Sequence, residues 1–247
     1  MASYDVEYLN SPPQSGPRNM ALDEALLELG RPVLRFYRWS EPTVSLGYFQ
    51  RYTERESHRA SRLCPVVRRR SGGGAIVHDK ELTYSLVLPC NSPLATQRLE
   101  LYEAIHRSFI MVLRQFGVMA EFSGVEQGGK EAFLCFQRLS VHDIVMRRPG
   151  KCVLKILGSA QYRNKTGSIL QHGSLLLDRS VAAPEIDGIR QISEAIPPVE
   201  ELIERLNRQI CKDFFWNFRS FTSETFGQTV AFLEDTRYTN LGWTCRK

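Results

Sequence analysis

Apolar residues recur at helical spacing in four stretches of the chain. The longest is residues 99–116, and its apolar side chains fall on one helical face. They are Leu101, Ala104, Ile105, Phe109, Val112, Leu113 and Phe116. Residues 17–29 have the same spacing and precede Gly30, which suits the left-handed position after a helix. Residues 199–216 predict a third helix, and 222–233 are a candidate for a fourth.

Shorter apolar segments rich in β-branched and aromatic residues predict strands. They are residues 33–39, 44–49, 75–77, 82–88, 118–122, 141–146, 153–157, 169–170 and 174–177. Segments 75–77 and 82–88 are predicted to form one hairpin. Segments 141–146 and 153–157 are predicted to form another, across the turn pair Pro149-Gly150. Hairpins rather than βαβ units favour an α+β fold with a mixed, largely antiparallel sheet flanked by helices.

Composition limits the classes of protein to consider. The chain has 247 residues, of which 43% are hydrophobic and 24% charged, as in globular proteins with a sizeable core. No composition break or repeat divides it, so we predict a single domain over residues 1–247. The formal net charge of +5 fits an acidic protein partner or an anionic ligand, and is too small to indicate nucleic acid. The sequence contains no apolar run long enough to span a membrane and no secretory signal pattern, so we expect a cytoplasmic protein with reduced thiols.

Motif searches exclude several chemistries. The six cysteines form no CxxC pair, and the five histidines lack metal-ligand spacing, so no metal site is predicted. The sequence contains no GxxxxGK[ST] loop, no HExxH helix and no GxSxG elbow.

The most unusual local sequence is RRRSGGGAIVHD at residues 68–79. Consecutive glycines cost chain entropy, and they let backbone N–H groups approach a ligand closely. Arg70 could add a charged donor fork. The stretch is therefore a candidate cradle for a phosphate- or carbonyl-bearing small molecule. A glycine-rich hairpin with solvated arginines is the alternative, and the local pattern does not separate the two.

Four motifs, taken in their order along the chain, resemble those of a known family. They are NMALDEALL at residues 19–27, RRSGGGAIVHD at 69–79, KILGSAQ at 155–161 and QHGSLLLD at 171–178. Together they resemble the lipoate/octanoate protein ligase and transferase family, which is related to biotin protein ligases. The resemblance implies the biotin/lipoate protein ligase catalytic-domain fold, with an acyl chain buried in a tunnel.

Cys135 bears on which of the family's chemistries to expect. It stands in the sequence Phe-Leu-Cys-Phe. In this it resembles the cysteine-dependent octanoyltransferase of the family, which has its nucleophile in a Cys-Phe pair at this point. The Cys-Pro-Gly pattern of the related amidotransferase is absent, and the ligases have no cysteine at this point. A thiolate can store an acyl group as a thioester without ATP. The alternative is a small buried apolar cysteine.

The resemblance also assigns the other site residues. Lys155 matches the family's catalytic lysine. In a transferase it would stabilise the Cys135 thiolate and the carbonyl oxygen, and in a ligase it would contact the adenylate phosphate. The alternative is a strand lysine facing water, and the long hairpin before it puts its geometry with Cys135 in doubt. The expected substrate-binding residues are Arg70, Ser71, Gly72, Gly73, Gly74, His78, Gly158, Ser159, Ala160, His172 and Gly173. The two histidines could equally be structural.

The resemblance implies transfer of an octanoyl group from acyl carrier protein, through a Cys135 thioester, to a lysine of an apo lipoyl domain or of the glycine cleavage H protein. This reaction needs no cofactor. One alternative is a lipoate-protein ligase that uses ATP and Mg to form lipoyl-AMP, and another is a non-catalytic acyl- or adenylate-binding regulator. Residues after 178 suffice for two helices and a tail, so no accessory C-terminal domain is expected. The basic segment 51–70 could steer acidic partners.

Overall fold

The computed structural model describes residues 4–128, 132–147, 153–222 and 226–246. Eleven strands run along this part of the chain. They are β1 (Tyr4–Asn10), β2 (Val33–Tyr37), β3 (Thr43–Leu46), β4 (Val66–Arg68), β5 (Ile76–His78), β6 (Glu81–Leu88), β7 (Ala120–Phe122), β8 (Ile144–Arg147), β9 (Val153–Arg163), β10 (Ile169–Leu176) and β11 (Trp216–Ser220). The helices are α1 (Gly16–Leu29), α2 (Pro93–Thr96), α3 (Arg98–Gln115), α4 (Val199–Phe214), α5 (Phe226–Leu233) and α6 (Leu241–Thr244).

A mixed eight-stranded sheet forms the centre of the molecule, in the order β11-β1-β2-β6-β10-β9-β8-β7. Strand β1 is parallel to both of its neighbours, and the other neighbouring pairs are antiparallel. A second, three-stranded sheet has the order β4-β3-β5. This arrangement confirms the predicted α+β class with a largely antiparallel sheet. Among the described residues, we find no helix with the length and apolar character needed to cross a bilayer.

The predicted helices form, with small shifts at their ends. The Ser15 hydroxyl accepts a hydrogen bond from the Arg18 N–H at the start of α1, and Gly30 ends that helix at φ 64°. The apolar face of α3 packs against the sheet in the main hydrophobic core. The predicted helix over 199–216 was too long, because Phe215 turns the chain at φ 55° and Trp216 begins β11.

The predicted hairpin of segments 75–77 and 82–88 was wrong. Strand β5 pairs with β3 in the small sheet, whereas β6 pairs with β2 and β10 in the large one. All eight residues of β6 are buried, and the strand buries the most apolar surface when it lies between two long partner strands. The segments 169–170 and 174–177 belong to one continuous strand, β10. The second predicted hairpin is confirmed by the antiparallel pairing of β8 with β9, although Pro149-Gly150 lies outside the described residues.

Candidate active site

A cavity opens between the glycine-rich stretch and strands β9 and β10. Its volume is about 510 Å³ including its mouth, within the range of small-molecule sites. Its surface is mostly apolar, and it is lined by Met20, Tyr37, Ser45, Arg69, Gly72, Gly73, Ile76, His78, Thr83, Cys135, Phe136, Gly158, Ser159, Ala160, His172, Gly173 and Ser174. Of the predicted site residues, only Lys155, Arg70, Ser71 and Gly74 are not among these lining residues.

The structure brings Cys135 and Lys155 together at the cavity. Cys135 is half-buried and begins a short helical turn, the cysteine turn (Cys135–Gln137). The Lys155 ammonium nitrogen Nζ lies 3.8 Å from the Cys135 Sγ and 3.5 Å from the Cys135 carbonyl oxygen. Lys155 is only 5% exposed, so the alternative that it is a strand lysine facing water was wrong. The thiol therefore lies next to a buried cation.

A carboxylate that sequence reasoning missed holds the lysine in place. Asp143 precedes β8, is 2% exposed, and has its Oδ2 atom 2.7 Å from the Lys155 Nζ. The same oxygen accepts a hydrogen bond from the Ser140 N–H at 2.7 Å, and Oδ1 accepts one from the Tyr102 hydroxyl at 3.2 Å. Because residues 141–146 were predicted as a strand, Asp143 was not considered, and its place in the sequence between Cys135 and Lys155 was the signal available.

A β-bulge sets the direction of the lysine side chain. In β9, Lys155 pairs with Val145 and Leu157 pairs with Ile144, so Ile156 has no partner residue on β8. The extra residue changes the alternation of side chains. It brings the end of Lys155 against Gly158, where an added Cβ would lie 2.6 Å from Cε and 2.9 Å from Nζ. Gly158 therefore leaves room for the ammonium group.

The glycine stretch packs backbone against backbone. Gly73 has φ +94°, and a Cβ on Gly47 would lie 2.0 Å from the Gly73 carbonyl oxygen. A Cβ on Gly74 would meet the Cys135 N and Cα atoms at 3.1 and 3.2 Å. Gly74 thus lets the stretch approach the cysteine turn, while Gly72 and Gly73 line the cavity. The N–H groups of these three glycines donate to no acceptor within the described ranges, so they are free to serve as oxyanion donors.

Arg69, rather than the predicted Arg70, supports this stretch from inside. Its guanidinium donates to the carbonyl oxygens of Ser45, Gly72 and Gly74 at 2.7–2.8 Å. Burial lowers the pKa of Arg69 to about 10, and it is only 3% exposed, so the solvated-arginine alternative was wrong for this residue.

Arg70 points away from the cavity. It pairs with the Glu24 carboxylate at 3.1 Å, donates to the Tyr162 hydroxyl and lies over the Tyr162 ring. It therefore connects α1 to β9 and does not contact the cavity space.

The two predicted histidines line the cavity, and each uses both ring nitrogens. The His78 Nε2 lies 2.7 Å from the Ser45 hydroxyl and its Nδ1 lies 2.7 Å from the Glu81 carboxylate. Burial lowers the pKa of His78 below its ordinary value. The His172 Nε2 lies 2.6 Å from the Ser71 hydroxyl, which places Ser71 behind the wall. Its Nδ1 lies 3.3 Å from Asp23. These bonds fix the orientation of both rings in the cavity wall.

Small residues and a buried polar chain form the opposite wall. A Cβ on Gly173 would lie 2.1 Å from the Ser159 Oγ. The Ser159 N–H donates to the Tyr102 hydroxyl at 3.0 Å, and its hydroxyl lies 2.7 Å from the His106 Nε2. The His106 Nδ1 lies 2.7 Å from the His142 carbonyl, so Nδ1 is the donor and Nε2 accepts from Ser159. Burial lowers the pKa of His106 to about 3, so this imidazole is neutral. Sequence reasoning missed both Tyr102 and His106, which look like ordinary positions of an amphipathic helix.

Comparison with known families identifies the chain's relationship. The sequence model of the lipoyl protein ligase A/B catalytic domain matches residues 15–210, which include the cavity, the cysteine turn and the lysine strand. The chain belongs to this family. Among the described residues, no three histidine, cysteine or acidic side chains are grouped as a metal site would require.

Curated relatives in this family are named octanoyltransferase LipM. The protein from Oceanobacillus iheyensis is 35% identical over 182 residues, covering 70% of this chain and 64% of the relative. The protein from Carboxydothermus hydrogenoformans is 39% identical over 176 residues, covering 68% and 63%. The chain thus matches under two thirds of the length of these relatives. The protein from Macrococcus caseolyticus is 32% identical over 249 residues, covering 94% and 83%.

Solved structures similar to this one include lipoate-protein ligases. A lipoate-protein ligase A bound with ATP superposes with a TM-score of 0.76 at 21% identity, covering 99% of each chain. A bipartite lipoate protein ligase from Thermoplasma acidophilum, solved with its E2 lipoyl domain, has a TM-score of 0.72 at 20% identity, covering 98% of this chain and 96% of the other. At this identity the likeness establishes the catalytic-domain fold.

Proposed function

We propose that this protein is an octanoyltransferase that moves an octanoyl group from acyl carrier protein to a lysine of a lipoyl domain. The observation that carries the proposal is the Cys135 thiol, 3.8 Å from the Lys155 ammonium at the wall of an apolar cavity. A thiol next to a cation is the arrangement that favours a reactive thiolate. The relatives named octanoyltransferase supply the acyl group to expect.

The first half of the reaction loads the cysteine. The Cys135 thiolate attacks the carbonyl carbon of the octanoyl thioester on the carrier's phosphopantetheine arm. A new carbon–sulfur bond forms, the carrier's carbon–sulfur bond breaks, and the carrier thiolate leaves and takes a proton from solvent. Exchange of one thioester for another is close to balanced in free energy, so the proposed reaction needs neither ATP nor Mg.

The glycine stretch and the lysine stabilise the charge that develops on the carbonyl oxygen. The N–H groups of Gly72–Gly74 and the Lys155 ammonium are the donors near the thiol, and Arg69 adds a buried positive charge behind the stretch. Donors placed in advance at such an oxyanion contribute strongly to acyl transfer. The octanoyl tail would lie along the cavity, against small residues such as Gly158 and Ala160.

The second half of the reaction passes the group to the acceptor. A lysine amine from an apo lipoyl domain, or from the glycine cleavage H protein, attacks the Cys135 thioester. A carbon–nitrogen bond forms, the carbon–sulfur bond to Cys135 breaks, and one amine proton is released. Both partners could dock beside the cavity-lining Gly72, where Phe49 is 70% exposed, and the exposed Arg51, Arg59 and Arg62 follow Phe49 in the chain.

The test is an intact-mass measurement after incubation with octanoyl acyl carrier protein in the absence of ATP. We expect an octanoyl adduct that hydroxylamine removes, and none with Cys135→Ser. Cys90→Ser is the matched control, because Cys90 is exposed and does not line the cavity, and it should load like the wild type. Transfer is then followed by adding an apo lipoyl domain to the isolated adduct.

Two results would contradict the proposal. The first is an adduct that persists in Cys135→Ser. The second is the absence of an adduct together with ATP-dependent formation of an acyl-adenylate from free lipoate or octanoate, which would make the protein a ligase.

A further inference from the structure

We propose that Asp143 is a positioning residue that keeps Lys155 as an ammonium ion beside Cys135, and that Lys155 therefore does not remove the proton from the acceptor amine. The first half of this inference concerns the thiol alone. Only the second half rests on the proposed acyl transfer.

The groups around the Lys155 nitrogen carry the argument. Nζ lies 2.7 Å from the Asp143 carboxylate, 3.2 Å from the Arg138 carbonyl oxygen and 3.5 Å from the Cys135 carbonyl oxygen. All of these groups are acceptors, and the Cys135 sulfur follows at 3.8 Å. An ammonium ion has three donors and no acceptor, whereas a neutral amine has a lone pair that needs a donor. The oxygen atoms that contact Nζ are all acceptors, so these surroundings fit the ammonium form.

The Phe136 ring provides an additional contact of the same kind. Its centroid lies 5.3 Å from the Lys155 Nζ, within the range in which an aromatic face attracts a cation. A neutral amine would gain nothing comparable from this face.

The Asp143 carboxylate is surrounded in the complementary way. Three donors reach it, namely the Ser140 N–H, the Tyr102 hydroxyl and the Lys155 ammonium. An ionised carboxylate only accepts hydrogen bonds, so these three donors fit the charged form. Asp143 and Lys155 are 2% and 5% exposed, and leaving either charge alone in such a place is strongly unfavourable. Each partner therefore holds the other in its charged state.

Tyr102 connects this ion pair to the acyl cavity. Its hydroxyl donates to Asp143 and accepts from the N–H of Ser159, a cavity-lining residue. Burial raises the pKa of Tyr102 well above its ordinary value, so it stays a donor. The neighbouring His106 is neutral, because burial lowers its pKa to about 3. The Arg69 guanidinium, which also interacts with Cys135, is a second cation.

The consequence for the reaction is a division of roles. An ammonium ion has no lone pair, so Lys155 can stabilise the thiolate and the carbonyl oxygen but cannot accept the acceptor amine's proton. When the carbon–nitrogen bond forms and the carbon–sulfur bond breaks, the departing Cys135 sulfur receives that proton and releases it to solvent through the mouth. The cysteine then ionises again beside the same cation.

The test measures the alkylation of Cys135 by iodoacetamide, which requires no acyl donor. Cys135 lies in the tryptic peptide of residues 131–138, so mass mapping separates it from the other cysteines. We expect Asp143→Asn and Lys155→Met to slow its alkylation by about tenfold or more, as expected for a displaced or lost cation next to a thiolate. Asp213→Asn is the matched control, because Asp213 also accepts two side-chain hydrogen bonds but lies on α4.

Lys155→Arg distinguishes a cation from a base. Arginine is always charged and cannot act as a base. If Lys155 acts as a cation, the arginine variant should alkylate clearly faster than Lys155→Met, and should retain both loading and transfer to a similar degree. Thermal unfolding of every variant reports whether it folds.

The inference is overturned if Asp143→Asn alkylates at the wild-type rate and loses only the transfer half-reaction. It is also overturned if Lys155→Arg loads normally but fails in transfer, because the lysine would then be the base. If Asp143→Asn fails to fold, the comparison of arginine with methionine at position 155 decides. If octanoyl loading fails in the wild type, the proposed function is wrong, and the alkylation rates still test the ion pair.

Discussion

Adding a single methyl group at Gly158 should separate activity from stability. A Cβ built on Gly158 lies 2.6 Å from the Lys155 Cε, 2.9 Å from Nζ and 3.2 Å from the Asp143 Oδ1. Ordinary van der Waals contacts begin near 3.4 Å. In Gly158→Ala the end of the lysine must therefore withdraw by about 1 Å, and a displacement of that size near a reacting centre can cost about 100-fold in rate.

The same methyl group should cost little stability. The atoms that it meets most closely belong to the end of a flexible side chain, which can move without shifting the backbone. The φ angle of Gly158 is not in the left-handed region, so alanine adds no backbone strain, and its restriction of the unfolded chain, about 0.4–1 kcal/mol, offsets part of the cost of displacing the end of the buried Lys155. We therefore expect Gly158→Ala to fold with a nearly unchanged melting temperature.

The assay is single-turnover loading of Cys135, followed by intact mass, together with thermal unfolding of the same samples. Gly227→Ala is the matched control, because Gly227 lies in α5 and its added Cβ would have no atom within 4 Å other than its chain neighbours and its own helix backbone. It should load at the wild-type rate and be slightly more stable, as expected for alanine in a helix. If Gly158→Ala loaded as fast as the wild type, the position of Lys155 relative to Cys135 would not matter for loading, and our reasoning about the site would be wrong.

Three further predictions concern the glycine stretch, a buried histidine and two exposed arginines. Gly74→Ala should destabilise by about 1–3 kcal/mol in chemical unfolding, because its Cβ meets backbone of the cysteine turn at 3.1–3.2 Å, whereas Gly72→Ala should be tolerated. The pKa of His106 is about 3 in the folded protein and about 6.5 in the unfolded chain. Below pH 6.5 the unfolded chain therefore binds a proton that the folded protein does not, and the free energy of unfolding falls towards pH 3. His106→Gln should lose less stability than the wild type between about pH 7 and pH 4.5. Arg59→Glu with Arg62→Glu should raise KM for octanoyl acyl carrier protein at low salt and leave octanoyl-pantetheine unaffected, which steady-state kinetics would check.

Local patterns were sufficient for the elements that bury one regular face. The helices α1, α3 and α4 follow their apolar spacing, and the end of α1 follows from Gly30. The partners of β5 and β6 did not follow from the sequence, because the tertiary packing of two separate sheets overrides the preference for pairing neighbours in the chain. Strands β1 and β11 were missed for a related reason, since they form a parallel pair from opposite ends of the chain.

At the site, the sequence motifs identified which residue types are present better than the directions in which their side chains point. They placed Arg70 in the cavity wall, yet Arg69 is the buried residue that holds the glycine carbonyls. Three consecutive arginines carry no periodic signal that tells which one points inward. The same limit applies to Asp143, whose neighbours in the sequence are compatible with an ordinary strand.

The relation of Lys155 to Gly158 shows why such directions require the structure. In a regular strand, residues three apart lie on opposite faces, so alternation predicts that Gly158 cannot touch the lysine. The bulge at Ile156 adds one residue to β9, and the two positions then share the face towards Asp143. Gly158 therefore leaves space for the ammonium group, and this role of the glycine can be inferred only once the bulge is known. A change that removed the bulge, such as deletion of Ile156, would turn the lysine away from Cys135 even though Lys155 and Gly158 both remained.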